Sequence, residues 1–276
     1  MSRIFSPEEL AMGKVPMTRD FELSLRYIHL TMQEEKTGLI AGLHFGSTHP
    51  KRNDLDITSD IDLLVVYDDE WKDYAYSAMM KMVSFAANRN VPLQIIPFSR
   101  NITEGGFHTI GEDFAHHLNW AALHGGVINK NPMDFIVPHT TRWDASAYVM
   151  GKLSSILKGF VRHSNMSEEE RRTYLRKVLD VPSYLGRKVL WEIGEKLYVD
   201  SKSQVQEAYD RLVGGRAAYL FREIQSAKAS YNKNVQENYN SRTSGYEFFL
   251  LSLENQILNV IELLELNAEI LRKIKK

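Results

Sequence analysis

Two aspartates, Asp60 and Asp62, stand two positions apart at the head of the apolar run Ile61-Asp62-Leu63-Leu64-Val65-Val66. In an extended strand the side chains alternate, so both carboxylates point to one face while Ile61, Leu63 and Val65 point to the other. Two carboxylates side by side repel each other, and in a low-dielectric setting one of them keeps its proton unless a cation intervenes. Hard oxygen donors in this arrangement suit Mg²⁺, which takes one or two carboxylates and completes its shell with phosphates and water. Upstream, the apolar run 39–45 ends in Gly46-Ser47, and twelve residues separate Ser47 from Asp60. A glycine lets backbone approach a phosphate without a Cβ clash, and N–H groups and a serine hydroxyl donate to phosphate oxygens. Each half by itself also describes an ordinary strand end or turn. The two halves together describe a site for a cation and a phosphate.

Such a site needs a rigid frame, and the surrounding pattern supplies one. Ser6-Pro7-Glu8-Glu9 is a capped helix start, with Pro7 at the first helical position and Glu9 completing a capping box. A second helix starts at Thr18 and places Phe21, Leu25, Ile28 and Met32 on one face, with Gly38 expected to close it. Residues 39–45 and 60–67 read as strands joined by a polar loop at 48–59 that holds Pro50, Lys51, Arg52, Asn53 and Asp54. Glu70 to Asn88 reads as a helix with Trp71, Tyr74, Met79, Met82, Val83 and Phe85 as its apolar positions, and Pro92 to Phe98 as a third strand. Residues 99–109, with Gly105-Gly106, read as a loop, and Ile110 to His124 as a helix. The order helix, strand, strand, helix, strand predicts an α/β (α+β) domain with a small mixed sheet.

Phe45-Gly46-Ser47, the twelve-residue gap and Ser59-Asp60-Ile61-Asp62-Leu63 together resemble the nucleotidyltransferase superfamily that includes DNA polymerase beta and the aminoglycoside nucleotidyltransferases. The resemblance covers about residues 20–100. It implies transfer of a nucleoside monophosphate from a nucleoside triphosphate to an acceptor hydroxyl. By this resemblance Asp60 and Asp62 hold Mg²⁺ and are catalytic, and Gly46, Ser47 and Ser59 bind the nucleotide. Paired metal ions neutralise both ends of an in-line displacement at phosphorus. Relatives place a third acid on the next strand, where it helps deprotonate the attacking hydroxyl. Here the matching position is Gln94, whose amide carries no charge and is no base. The base then comes from elsewhere, with Glu104, Glu112 and Asp113 nearest downstream, or the strand alignment shifts, or the chain binds nucleotide without efficient turnover.

Other candidates carry less. Lys51 and Arg52 read first as solvated loop residues and second as added charge near the phosphates. His116 and His117 face different directions on a helix, and His124 shares a face with His117 at seven residues. None of the histidines forms a His-x-x-x-His zinc motif. His108 sits in a loop near Gly105-Gly106. A basic stretch runs from Lys152 to Lys188, with Arg162, Arg171, Arg172, Arg176 and Arg187 in it and Glu168 to Glu170 offsetting part of the charge. It reads first as solvated helix faces. In its functional reading Lys152, or Arg187 and Lys188, reach toward the triphosphate, as the helical region does in this superfamily. Gly214-Gly215-Arg216 has no strand before it and reads as a turn between helices.

From about Trp143 onward there is no further strand pattern, and helices are predicted at 144–163, 167–179, 183–198, 202–213, 216–231 and 245–273. The domains are therefore placed at 1–142, a nucleotidyltransferase-like catalytic domain, and 143–276, a helical bundle. In the last helix Leu250, Ile257, Leu264 and Leu271 lie seven apart, with Leu253, Val260, Asn267 and Ile274 interleaved. Leu251, Leu258, Ile261, Leu263 and Leu266 widen the stripe, which favours a bundle face over a homodimer seam, although a homodimer through this helix stays open. The formal net charge of −1 argues against a protein that coats nucleic acid by bulk charge, so a small-molecule acceptor is favoured over tRNA or a protein hydroxyl. A non-catalytic nucleotide-binding protein is the other alternative. With no cysteine there is no disulfide and no thiolate site. No apolar run nears the ~20 residues that span a bilayer, and MSRIFSPEEL lacks the apolar core of a signal peptide, so no membrane contact and a cytoplasmic location are expected.

Overall fold

The structure, a computed structural model, describes residues 4–52, 55, 58–101, 109–139, 144–195, 202–237 and 246–274. The chain forms two compact units. One is Val15–Thr141, and the other joins Met1–Lys14 to Arg142–Lys276. The first fourteen residues therefore leave the sheet domain in which the sequence placed them. Their attachment is specific: Phe5 is fully buried and its N–H donates to the Tyr231 hydroxyl at 3.1 Å, while Arg172 reaches Glu9 at 3.4 Å. The predicted capping box forms on Ser6 and Glu9 and opens a short helix α1 (Pro7–Ala11).

The sheet unit begins with α2 (Thr18–Gln33) and β1 (Leu39–Phe45). Helix α2 stops five residues before Gly38, so that glycine does not cap it. Gly38 instead turns into β1 at φ +71°, where a side chain would strike Trp71. Strand β2 (Ile61–Tyr67), α3 (Lys72–Ala87) and β3 (Leu93–Ser99) follow as a parallel β–α–β unit. Then come β4 (Thr109–Gly111), α4 (Glu112–Ala121), β5 (Val127–Ile128) and β6 (Val137–His139). The main sheet has the order β3-β2-β1-β5 and is mixed, with β1 antiparallel to both its neighbours. Strands β4 and β6 pair in a separate two-stranded ladder. The three short strands are absent from the sequence reading because two or three residues carry no period.

Both faces of the sheet are covered. Ile61, Leu63, Val65 and Tyr67 pack with α2 and α3 residues Phe21, Ile28, Met32, Ala75, Met79 and Met82. Leu64 and Val66 face the other way, with Leu43, Phe45, Phe98, Ala115, Leu118 and Trp120. On α3 the packing face is built from Ala75, Ala78, Met79, Met82 and Ala86, while Trp71, Tyr74 and Val83 are exposed. The alanines let the helix come close to the sheet; Met79 and Met82 are inside as expected, and Trp71, Tyr74 and Val83 are outside.

The helical unit comprises α1 with α5 (Asp144–Arg162), α6 (Glu168–Leu179), α7 (Val181–Glu192), α8 (Lys202–Leu212), α9 (Gly215–Glu237), α10 (Tyr246–Glu254) and α11 (Gln256–Ile274). The last predicted helix is thus two, parted at Asn255. The Asn-rich tract continues α9 as far as Glu237, and residues 238–245 lie outside the described residues. The seam of α11 is buried within this unit: Ile257, Val260, Leu264, Asn267 and Leu271 pack toward α5, α6, α7 and α9. Leu251 and Leu258 stay exposed. Asn267 has no exposed surface. It accepts a hydrogen bond from the Tyr209 hydroxyl at 2.7 Å and donates to the Leu263 carbonyl at 2.7 Å. Gly214, in the turn before α9, and Gly215, its first residue, take φ +62° and +57°. Among the described residues no helix is long and apolar enough to cross a membrane.

Candidate functional site

Strand β2 carries the acids to one end of the sheet. Asp62 lies opposite Phe45 on β1 and beside Gln94 on β3 in the ladder. Paired residues share a face, so Gln94 stands on the same face as Asp62, at the position the sequence assigned to it. Asp60 immediately precedes β2 and is 6% exposed, and Ser59 before it is 5% exposed. The Ile61 N–H donates to the Pro92 carbonyl at 2.9 Å, which fixes the strand entry between the acids.

Gly46 ends β1 at φ +81°, a conformation that disfavours any side chain. The space a Cβ would take there is filled by the Asp62 carboxylate, whose Oδ2 is the nearest atom. The turn and the acid are thus in direct contact, and glycine is required twice, by its φ and by its neighbour. Beyond Ser47 the chain makes a compact loop, with the His49 N–H donating to the Gly46 carbonyl at 3.3 Å and the Arg52 N–H to the His49 carbonyl at 2.8 Å.

This loop is fastened from both sides by groups that the spacing of the motif does not mark. His44, on β1, is 3% exposed, and its Nε2 lies 2.8 Å from the Thr48 hydroxyl. Thr48 donates in turn to the Asp60 carbonyl at 3.3 Å. Burial, with smaller contributions from the charges His49 and His29 can carry, holds His44 neutral and brings its pKa down to about 3. Arg52 is half-buried. Its Nη2 donates to His117 Nδ1 at 2.9 Å and its guanidinium lies 4.9 Å from the centre of the Trp120 ring. Trp120 also packs on His49 at 5.2 Å and stacks on His124 at 4.5 Å, and His124 Nδ1–H donates to the Trp120 carbonyl at 2.7 Å. His49 is 1% exposed. Its Nε2 is sealed from solvent and turned toward the Ala121 carbonyl, short of hydrogen-bond geometry. Burial lowers the His49 pKa, the Ala121 carbonyl opposes that, and the charge of Arg52 adds to it.

Arg52 is therefore not the solvated residue that loop composition suggests. Helix α4 holds it through residues sixty-five and sixty-eight positions downstream. The adjacent histidines 116 and 117 point apart as expected on a helix, and His117 meets the loop through Arg52. Phe45 and Phe114 enclose it, at ring-centre distances of 6.1 and 6.3 Å. No sequence signal ties His44, Thr48 or Trp120 to the motif. A histidine two residues before the glycine, inside an apolar strand, is the one feature that invites the question of what it bonds.

The remaining candidates fall in three places. Glu112 and Asp113 form the first turn of α4. Glu104, Gly105-Gly106 and His108 lie outside the described residues, as do Asn53 and Asp54. Lys152 and Lys188 belong to the helical unit, where α5 and α7 bring both ammoniums over one ring, that of Tyr148, at 5.5 and 5.8 Å from its centre. The Tyr148 hydroxyl is buried, makes no hydrogen bond among the described residues, and has its pKa raised by burial. A groove of about 610 Å³ opens along α3, lined by Tyr27, Tyr76, Met80 and Phe85. It belongs to the side of the sheet that α2 and α3 cover, away from the face of Asp62.

Asp60 and Asp62 are the residues that would hold a Mg²⁺ ion arriving with its own phosphate ligands. Two carboxylates at one strand end are the protein donors such a cation takes. Among the described residues no group of three or more histidine and acidic side chains is placed to hold a metal ion unaided. Comparison with known protein families, with characterised proteins and with solved structures finds no match to this chain.

Proposed function

We propose that the chain is a Mg²⁺-dependent nucleotidyltransferase that moves a nucleoside monophosphate from a nucleoside triphosphate to the hydroxyl of a small-molecule acceptor. The observation that carries this reading is the contact between Gly46 and Asp62. It sets a turn able to accept a phosphate against a carboxylate able to hold the cation that phosphate brings.

In this reading Asp60 and Asp62 hold Mg²⁺, which when bound neutralises phosphate charge. Backbone N–H groups of the Gly46-Ser47 turn and the Ser47 hydroxyl donate to phosphate oxygens. Ser59, at the strand entry, helps shape the nucleotide site. Arg52 adds a guanidinium pre-set by His117 and Trp120, so little side-chain freedom is lost on binding anionic oxygen. The acceptor oxygen bonds to the α-phosphorus as the bond to the pyrophosphate oxygen breaks. Its proton passes to a base, and Gln94 is not that base. Glu112 and Asp113 on α4 are the described acids nearest in sequence.

The register of Gln94 beside Asp62 supports a second reading, a protein that binds nucleoside triphosphate without transferring it. One experiment separates the two. Binding of each nucleoside triphosphate with Mg²⁺ and release of pyrophosphate in the presence of hydroxyl-bearing small molecules are measured on the full chain. Asp60→Asn and Asp62→Asn are expected to lower both by on the order of 10²-fold. Unchanged binding in both variants overturns the site. Tight binding with no pyrophosphate released supports the second reading.

A further inference from the structure

We infer that Thr48, held by His44, is a positioning residue that locks the phosphate turn to the acid pair, so that the two halves of the site move as one. The inference rests on the site proposed above and goes beyond it, because neither residue belongs to the motif and neither is assigned to a ligand.

The geometry is a two-link relay. The Asp60 carbonyl only accepts, so at 3.3 Å the Thr48 hydroxyl spends its one proton there. The contact of 2.8 Å between Thr48 and His44 then runs the other way, with His44 Nε2–H donating to Thr48 Oγ1. This fixes the tautomer of His44, which burial keeps neutral. All three residues are nearly sealed from solvent, at 3%, 8% and 6% exposure for His44, Thr48 and Asp60. Buried hydrogen bonds of this kind are costly to leave unmade, so the relay stays closed.

Its position gives it consequence. His44 is anchored near the end of β1, opposite Leu63 on β2. Thr48 lies in the loop that follows Gly46, closed by the bond from the His49 N–H to the Gly46 carbonyl. Asp60 is the first acid. One hydroxyl thus joins strand, turn and acid across twelve residues of chain. A site that must present a cation and a phosphate at fixed separation gains from a rigid link between their holders.

The test uses the full chain with Mn²⁺ and ATP as probes, together with amide hydrogen exchange at His49 and Ile61. Thr48→Val keeps the shape and removes the hydroxyl. It is expected to weaken Mn²⁺-ATP binding about five- to tenfold and to speed exchange at both amides together. Thr48→Ser restores both. His44→Leu should match Thr48→Val, His44→Gln, which keeps a donor, should retain most binding, and the double variant Thr48→Val/His44→Leu should lose no more than either single one, since the two act in series. Folded Thr48→Val protein with wild-type binding and wild-type exchange overturns the relay, and so do additive losses in the double variant. The underlying site fails separately: if Asp60→Asn and Asp62→Asn leave Mn²⁺-ATP binding unchanged, the nucleotide reading is wrong, while the exchange data still decide whether Thr48 couples turn and acid.

Discussion

Lys228 in the helical unit and Asp60 in the sheet unit are buried to a similar extent, 8% and 6% exposed, and their settings differ. Lys228 faces a carboxylate of opposite sign, Asp180, at 2.9 Å, and both are almost covered. Asn267 is likewise closed on Tyr209 and on its own helix. Asp60 instead stands two residues from a second carboxylate, Asp62, which is itself pressed against the Gly46 turn. An opposite pair can be enclosed by helices, because each member satisfies the other. Two charges of like sign repel each other instead. The helical unit therefore uses its buried polar groups to fix packing. The sheet unit brings two carboxylates to one strand end, the pair to which the proposed function assigns a ligand cation.

The contrast is sharpest where one partner is removed. Lys228→Met removes the ammonium 2.9 Å from Asp180 in a nearly covered pair, and is expected to cost about 3–5 kcal/mol in the urea unfolding of the chain. Its Mn²⁺-ATP binding, measured by titration calorimetry below the transition, should stay at the wild-type value. A loss of binding as large as that of Asp62→Asn would erase the division between packing and site.

Gly46→Ala reverses the weighting. The new methyl group meets the Asp62 carboxylate at a φ of +81°. Backbone strain of this kind costs about 1–3 kcal/mol, and displacement of Asp62 should lower Mn²⁺-ATP binding by on the order of tenfold. A variant that is destabilised and still binds normally would separate the turn from the acid.

The third effect is in pH. His44 has a native pKa brought down to about 3 from an ordinary 6.5. Below pH 6.5 the unfolded chain binds a proton that the native chain refuses. Stability is therefore full above about 6.5 and falls on acidification toward 3, by up to about 1.4 kcal/mol per pH unit. Urea midpoints between pH 7 and pH 4 measure it. His44→Gln has no proton to gain and should flatten the slope by about one proton, which ties the acid sensitivity to the sheet unit.

Much of this was legible in the chain. The runs read as strands at 39–45 and 60–67 are observed as strands at 39–45 and 61–67, Ser6-Pro7-Glu8-Glu9 is the observed capping box, and Gln94 falls beside Asp62 in the ladder. Local pattern suffices there, because alternation and capping depend on neighbours in sequence. It does not suffice for α3, where alanines face the sheet and Trp71 and Tyr74 face solvent. Apolar size says that a residue is able to be buried, and the distance between helix and sheet decides which ones are.

The sequence by itself determined the two-acid strand, the glycine turn before it and the change from mixed sheet to helices. Those are properties of residue type and short-range order. Only the tertiary structure decided that residues 1–14 join the helical unit, that Asp62 fills the place of a Gly46 side chain, and that His44, Thr48, Arg52, His117 and Trp120 brace the loop. The physical reason is that such contacts are made across strands and helices far apart in the chain. A hydrogen bond between Arg52 and His117 leaves no trace in the spacing of either residue's neighbours, and exists because α4 packs over the sheet face that carries Asp62.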